Sequence, residues 1–392
     1  MDVYVDNAAT TKMSKEVIDS MLPYFDTCFA NPSSIHSLGQ RAKEALSLSR
    51  TKIAKILNCD RREIYFTSGG SESDNQAIIS ASKIGIKQNK KHIISTTFEH
   101  PAVLRTLEQL EKQGFKITLL EVNENGIIKL EDLENEIRPE TCLVTIMYAN
   151  NEIGTIQSIG EIGKICKENG ILFHTDAVQA VGHIDIDVKD QNIDMLSFSA
   201  HKFNGPKGVG VLYAKKGIQL ENLIYGGSQE RGKRAGTENL PSIVGMSVAL
   251  ENAYRNLEER ENYILSLRNK LIGGLKEIPQ SFFNGDKENR LSNNVNFSFL
   301  GVEGEALLLL LNERGIYASA GSACSSGALE SSHVLLAIGR EKELAKSSIR
   351  LTLSYENNEE EIEYIIKNIT ELVTYLRSMS PVWKNFIEGD KI

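Results

Sequence analysis

Lys202 and Asp176 each stand at the end of an apolar run, and their chemistries are complementary. Lys202 closes Ser199-Ala200-His201-Lys202, and Asp176 lies within His174-Thr175-Asp176-Ala177-Val178-Gln179. In open α/β sheets the carboxyl ends of the strands form the edge where ligands bind. A lysine partly desolvated there has a lowered pKa and can form a Schiff base. A carboxylate two strands away can keep a pyridinium nitrogen protonated, which makes the ring an electron sink. The plainer reading makes Asp176 a helix cap and Lys202 a surface lysine. On these two residues alone both readings stand.

Three further motifs add to the choice. Thr67-Ser68-Gly69-Gly70-Ser71-Glu72-Ser73 joins a strand pattern to a helix pattern. Small residues let the amides of a helix start approach a phosphate, and the helix dipole favours that anion. An ordinary Ser/Gly cap explains the same residues. No Gly-Lys-Ser/Thr follows, so the segment is not a Walker loop. Gly205-Pro206-Lys207-Gly208-Val209-Gly210 resembles a dinucleotide fingerprint only superficially, because it precedes a strand instead of leading from strand to helix. His100, in Glu99-His100-Pro101, follows a strand at the same edge. It can act as acid or base, stack on a planar ring, or cap the next helix. Cys324 sits in Ser319-Ala320-Gly321-Ser322-Ala323-Cys324-Ser325-Ser326-Gly327, where nearly every neighbour is small. So little packing predicts a mobile loop, able to carry a thiol from a buried site to an external partner. An exposed free thiol is a liability, which favours a working role over a bystander.

These residues need a scaffold, and the apolar pattern supplies one. Strand patterns cover Glu63 to Thr67, His92 to Thr96, Lys116 to Val122, Thr141 to Tyr148, Ile171 to Thr175, Met195 to Ser199 and Val209 to Tyr213. Helical patterns alternate with them: Ser14 to Leu22 with Ser14 as N-cap, from about Glu72, Pro101 to Gln113, and Ile159 to Asn169. This alternation predicts an α/β fold, with a mostly parallel sheet covered by helices on both faces. A charged helical stretch from Pro241 to Leu275 follows. Beyond it lie a strand (Asn294 to Phe299), a helix (Glu303 to Glu313), the cysteine loop, a strand (Ile349 to Ser354) and a helix from Glu359. The expected division is a large domain, 13–258, and a smaller α/β domain, 259–392, that also takes in residues 1–12.

Composition narrows the class. The 392 residues carry 44 basic and 52 acidic side chains, a net charge of -8, which argues against direct binding of nucleic acid or a membrane surface. The N-terminus lacks the basic start and apolar core of a signal peptide, and the longest strongly apolar run, Ala306 to Leu311, is too short to span a bilayer. A cytoplasmic protein is expected. The cysteines, Cys28, Cys59, Cys142, Cys166 and Cys324, are odd in number and widely spaced, against a disulfide framework or a structural zinc site. No metal is expected, and Cys142 and Cys166 read as buried and inert.

Taken together the motifs resemble the cysteine desulfurase family. That family is part of the class-V aminotransferase group of fold-type I pyridoxal-phosphate enzymes. The resemblance runs from VDNAATT and NPSS through TSGGSESDN, EHPAVL, ANNEIGT, HTDAVQAVG, SFSAHK, GPKGVG and QERGKRAGTEN to SAGSACSSG and SSIRLTLS. It implies pyridoxal 5′-phosphate as cofactor, with Lys202 as the Schiff-base lysine, Asp176 at the pyridine nitrogen and Gln179 at the ring hydroxyl. His100 is implied as the ring-stacking acid/base, and Gly70, Ser71, Ser199 and His201 as the phosphate cradle. Thr237 is implied as a phosphate contact given by the other subunit of a homodimer. Asn151 and Arg350 match residues that hold the substrate carboxylate, Asn151 also lying near the ring, and Cys324 matches the nucleophile. Ser71 stands where some members have threonine. The implied reaction turns L-cysteine into L-alanine and leaves a persulfide on Cys324. The SAGSACSSG setting looks like the longer-loop group, which passes sulfur to acceptors such as an iron–sulfur scaffold. A selenocysteine lyase, an aminotransferase on the same fold, or a scaffold that has lost catalysis are the alternatives.

Overall fold

The computed structural model describes residues 1–320 and 331–389. Its strands are β1 (Val3–Tyr4), β2 (Ile64–Thr67), β3 (His92–Thr96), β4 (Lys116–Leu120), β5 (Thr141–Thr145), β6 (Leu172–Asp176), β7 (Met195–Ser199), β8 (Gly210–Ala214), β9 (Ser281–Phe283), β10 (Asn294–Phe299), β11 (Ile316–Tyr317) and β12 (Ser348–Thr352). The fold is α/β. A seven-stranded sheet has the order β2-β8-β7-β6-β5-β3-β4. All of its strands run the same way except β8, which is antiparallel to both neighbours. The strand patterns near Lys202 and Asp176 are therefore adjacent strands, β7 and β6, not two apart as expected.

Both faces of this sheet are covered, and the strand residues show why. Ile94, Val144, Leu196 and Val211 join one apolar cluster with the helices Ser37–Ile56, Ile159–Glu168 and Leu240–Arg255. Their chain neighbours Ile93, Leu143, Met195 and Leu212 point the other way, into a cluster with Ala77, Ile78 and Ala81 of the helix Gly70–Lys87. Side chains alternate across a strand, so a continuous apolar run is what a doubly covered sheet requires.

A second region has its own core. Val3, Val5, Phe297, Phe299, Leu307, Ile349 and Leu351 pack with the helices Leu257–Lys276 and Glu359–Ser378. Its three-stranded sheet has the order β12-β10-β9, and β1 pairs in parallel with β11. Among the described residues no helix is long and apolar enough to cross a membrane. The charged stretch expected from Pro241 to Leu275 is two helices, Leu240–Arg255 and Leu257–Lys276. Ser14 caps its helix as expected, accepting from the Val17 amide at 3.3 Å.

Candidate active site

The carboxyl ends of β6 and β7 open into a cavity of about 310 Å³, lined among others by Gly70, Ser71, His100, Asn151, Asp176, Gln179, Ser199, His201, Lys202 and Arg350. Sequence reasoning had named all ten. Each arrives there for a local reason. Asp176 is the last residue of β6, and its Oδ1 accepts the Val178 amide at 2.9 Å, which fixes the carboxyl across the strand end. Lys202 ends the tight 3-10 turn Ala200–Lys202 directly after β7. Its Nζ donates to the carbonyls of Ala8 at 2.5 Å and Ala9 at 2.9 Å. Gln179 Nε2 donates to the same Ala8 carbonyl at 3.1 Å. His100 caps the helix Pro101–Glu111 through Nδ1, which accepts from the Ala102 amide at 3.1 Å. The capping role and the place in the cavity coexist in one residue.

One wall is an anion cradle in shape and charge. The helix Gly70–Lys87 points its N-terminus at the cavity, and its N-cap, Gly69, supplies no side-chain acceptor to the first-turn amides. Those amides and the dipole remain available to a phosphate. A Cβ on Gly70 would come within 2.6 Å of Val178 Cγ2, so only glycine lets the helix start approach this closely. Ser199 and His201 stand beside it, with His201 Nδ1 hydrogen-bonded to Thr10 Oγ1 at 3.2 Å. Burial, then Lys202 and Lys207, push the His201 imidazole down to about 4.

The cavity floor is polar and buried. Burial raises the Asp176 carboxyl above its ordinary range, opposed by His100, the Val178 amide and Lys202. Burial lowers His100, with Asp176 opposing and Lys202 and His333 reinforcing. Asp74, a turn along the helix from Gly70, was missed by sequence reasoning although it lies in TSGGSESDN. It also lines the cavity, its Oδ1 has no hydrogen-bond partner, and burial raises it well above the usual carboxylate range. His174 Nε2 lies 3.7 Å from that oxygen and 2.9 Å from Ser197 Oγ, and burial pushes this histidine down to about 3.

Arg350 also lines the cavity. It is 2 % exposed; Nη1 donates to the Asn151 carbonyl at 3.1 Å and Nη2 to Asp6 Oδ1 at 2.8 Å, while Nε has no partner. One expected residue is not in this cavity. Thr237 lies in a separate cleft with Phe66, Thr67, Ser68 and Glu238. Cys324 lies outside the described residues. The chain on either side of it is anchored beside the cavity: Ser319 exchanges backbone hydrogen bonds with Arg350, Ser332 Oγ bonds Glu152, and His333 Nε2 donates to the Glu99 carbonyl at 3.0 Å. Cys142 and Cys166 are buried as expected, and burial drives the Cys142 thiol up to about 11.

The sequence pattern of the family described as aminotransferase class-V matches residues 3–365. The chain belongs to that family. Within it, the resemblance to the cysteine desulfurases holds. The chain is 52% identical over 390 residues to a cysteine desulfurase IscS of Clostridium botulinum, covering 99% of this chain and 98% of that one. It is 52% identical over 380 residues to the protein of the same name from Methanosarcina thermophila, covering 97% and 94%. A solved NifS-like protein superposes with a TM-score of 0.90 at 39% identity, over 96% of this chain and all of that one.

These class-V enzymes use pyridoxal 5′-phosphate, and the residues present fit it. The amide cradle at Gly70 and Ser71 suits a phosphate, buried Asp176 suits a pyridinium, and Lys202 suits an aldehyde. Among the described residues no group of three or more His, Cys, Asp or Glu side chains is placed to hold a metal ion.

Proposed function

We propose that the enzyme removes sulfur from L-cysteine, releases L-alanine and leaves a persulfide on Cys324 for transfer to an acceptor such as an iron–sulfur scaffold protein. The observation that carries this reading is the convergence of Lys202, Asp176 and His100 on one cavity that an anion cradle and a buried arginine also line. Pyridoxal phosphate, which Lys202 would hold there, would supply an electron sink for charge that develops at the substrate's Cα and Cβ. Asp176 would face the ring nitrogen, Gln179 the ring hydroxyl and His100 the ring face. Gly70, Ser71, Ser199 and His201 would hold the phosphate. Arg350 and Asn151 would hold the substrate carboxylate, which places Cα within reach of the Lys202 amine. Lys202 Nζ would take the Cα proton.

The Cys324 thiolate then attacks the substrate sulfur. An S–S bond forms, the Cβ–S bond breaks and its electron pair stays with carbon. Protonation of that carbon and return of the Cα proton from Lys202 complete alanine, so a thiol and cysteine become a persulfide and alanine with no outside oxidant.

The division into domains at 13–258 and 259–392, the latter with residues 1–12, belongs to the same reading. So do a cytoplasmic location and a homodimer in which Thr237 reaches the partner's cradle. The exposure of Ile35 (94%), Tyr225 (85%) and Phe29 (67%) supports a covering second copy.

The deciding measurement is alanine and persulfide yield from L-cysteine in wild type and Cys324→Ser. The variant is expected to retain the cofactor and to lose at least about a hundredfold in both yields. Equal yields would favour a lyase or aminotransferase that works without this thiol.

A further inference from the structure

Asp6 is a carboxylate paired with Arg350, the cavity residue that would bind a substrate carboxylate. It follows β1, and its segment lies alongside β12 as an added strand. Thr352 N–H donates to the Val5 carbonyl at 2.7 Å, and the Ala8 amide donates to Thr352 Oγ1 at 2.8 Å. Asp6 is thus held by backbone on the strand that carries Arg350, two residues before Thr352. Its Oδ1 meets Nη2 of Arg350 at 2.8 Å and takes one end of the guanidinium only. Nη1 is given to the Asn151 carbonyl, and Nε is buried without a partner.

Two physical consequences follow. A buried arginine with no anion is costly, and Asp6 supplies that anion when no substrate is present. A ligand carboxylate that engages the remaining donors of Arg350 must then share one positive charge with a second carboxylate. Like charges at such separations repel strongly when partly buried.

We propose that Asp6 is a positioning residue that sets carboxylate affinity: it holds Arg350 in orientation and competes with the α-carboxylate of the amino acid for its charge. This rests on the reading of Arg350 as the carboxylate site. The competition keeps cysteine and alanine weakly held, so the product leaves and stray anions are excluded.

The test is a titration of the bound cofactor's absorbance with L-alanine, the product, in the holoenzyme. Asp6→Asn keeps the shape and an accepting oxygen but removes the charge. It is expected to lower the apparent Kd for alanine roughly five- to tenfold. Asp6→Ser removes the charge in a smaller side chain and serves if the amide variant does not fold. Asp6→Glu keeps the charge and should stay within about twofold of wild type. With L-cysteine the same charge-removing variants should lower KM without raising kcat, the mark of a change in uniform binding. Arg350→Ala separates the two claims. If it weakens alanine binding and the neutral Asp6 variants leave binding unchanged or weaker, the competition is overturned while the carboxylate reading stands. If Arg350→Ala leaves alanine binding intact, the carboxylate reading fails and takes this inference with it.

Discussion

Glu99, immediately before His100, is fully buried. Its Oε1 accepts from the Met147 amide at 2.9 Å and Thr96 Oγ1 at 2.7 Å, while Oε2 meets no partner. Burial pushes its carboxyl from 4.5 up to about 8, the two hydrogen bonds opposing and Asp176 adding to the rise. A folded-state pKa above the unfolded one gives stability that is complete below 4.5 and lost as pH rises through 8. The buried histidine His174 has the opposite sign, since its imidazole falls from 6.5 to about 3 and its contribution is lost as pH drops below 6.5. Glu99→Gln keeps the accepting oxygen and cannot ionise. Its melting temperature should match wild type within about a degree at pH 5 and exceed it by a few degrees at pH 9. Calorimetry across that range decides it: parallel curves for the two proteins would mean that Glu99 does not titrate there.

The helix Gly70–Lys87 carries the cradle, and its start depends on a missing side chain. A Cβ at Gly70 would meet Val178 Cγ2 at 2.6 Å, and Val178 is β-branched and stiff. The amide of that same valine holds Asp176 Oδ1. Gly70→Ala should therefore disturb the cradle and the floor together, and weaken cofactor retention about tenfold or more. Dialysis followed by absorbance of the retained cofactor measures this, and undiminished retention would refute it. Elements of this kind were legible in the sequence because their apolar runs and the polar residues ending them coincide, as with Asp176 after Leu172-Phe173 and Lys202 after Phe198. The helix Ser37–Ile56 was not, for a physical reason. Its buried stripe includes Gly39, Ala42, Ser49 and Arg50, so the inward face looks polar and no 3.6-residue apolar period stands out. Asp6 and Asp74 were quoted within motifs but given no role, because their work lies in contacts between distant segments: Asp6 with Arg350, Asp74 beside His174. The reversal of β8 was equally hidden, since a strand pattern carries no direction.

At the scale of the whole molecule, Thr237 is exposed and lines a cleft apart from the cavity of its own chain, yet its loop is held firmly. Glu230 and Arg231 take positive φ angles of 46° and 57°, a conformation non-glycine residues adopt at a cost. A buried pair sustains it: Arg50 clamps Glu230 at 2.5 Å, and the Phe66 amide donates to the same carboxylate at 2.9 Å. Arg234 ties the next turn to Glu72 of the cradle helix at 3.0 Å. A loop fixed in this way and carrying its threonine outward suits delivery to a second copy. Sedimentation should accordingly give a dimer, and complementation tests whether the site is shared. Chains carrying Lys202→Ala are mixed with chains carrying Thr237→Ala and allowed to exchange subunits. If Thr237 serves the partner, each mixed dimer has one site with both native residues, and that site should bind cofactor and turn over cysteine as wild type does. If Thr237 serves its own chain, no mixed dimer contains an intact site, and the mixture stays at the level of the two variants measured apart.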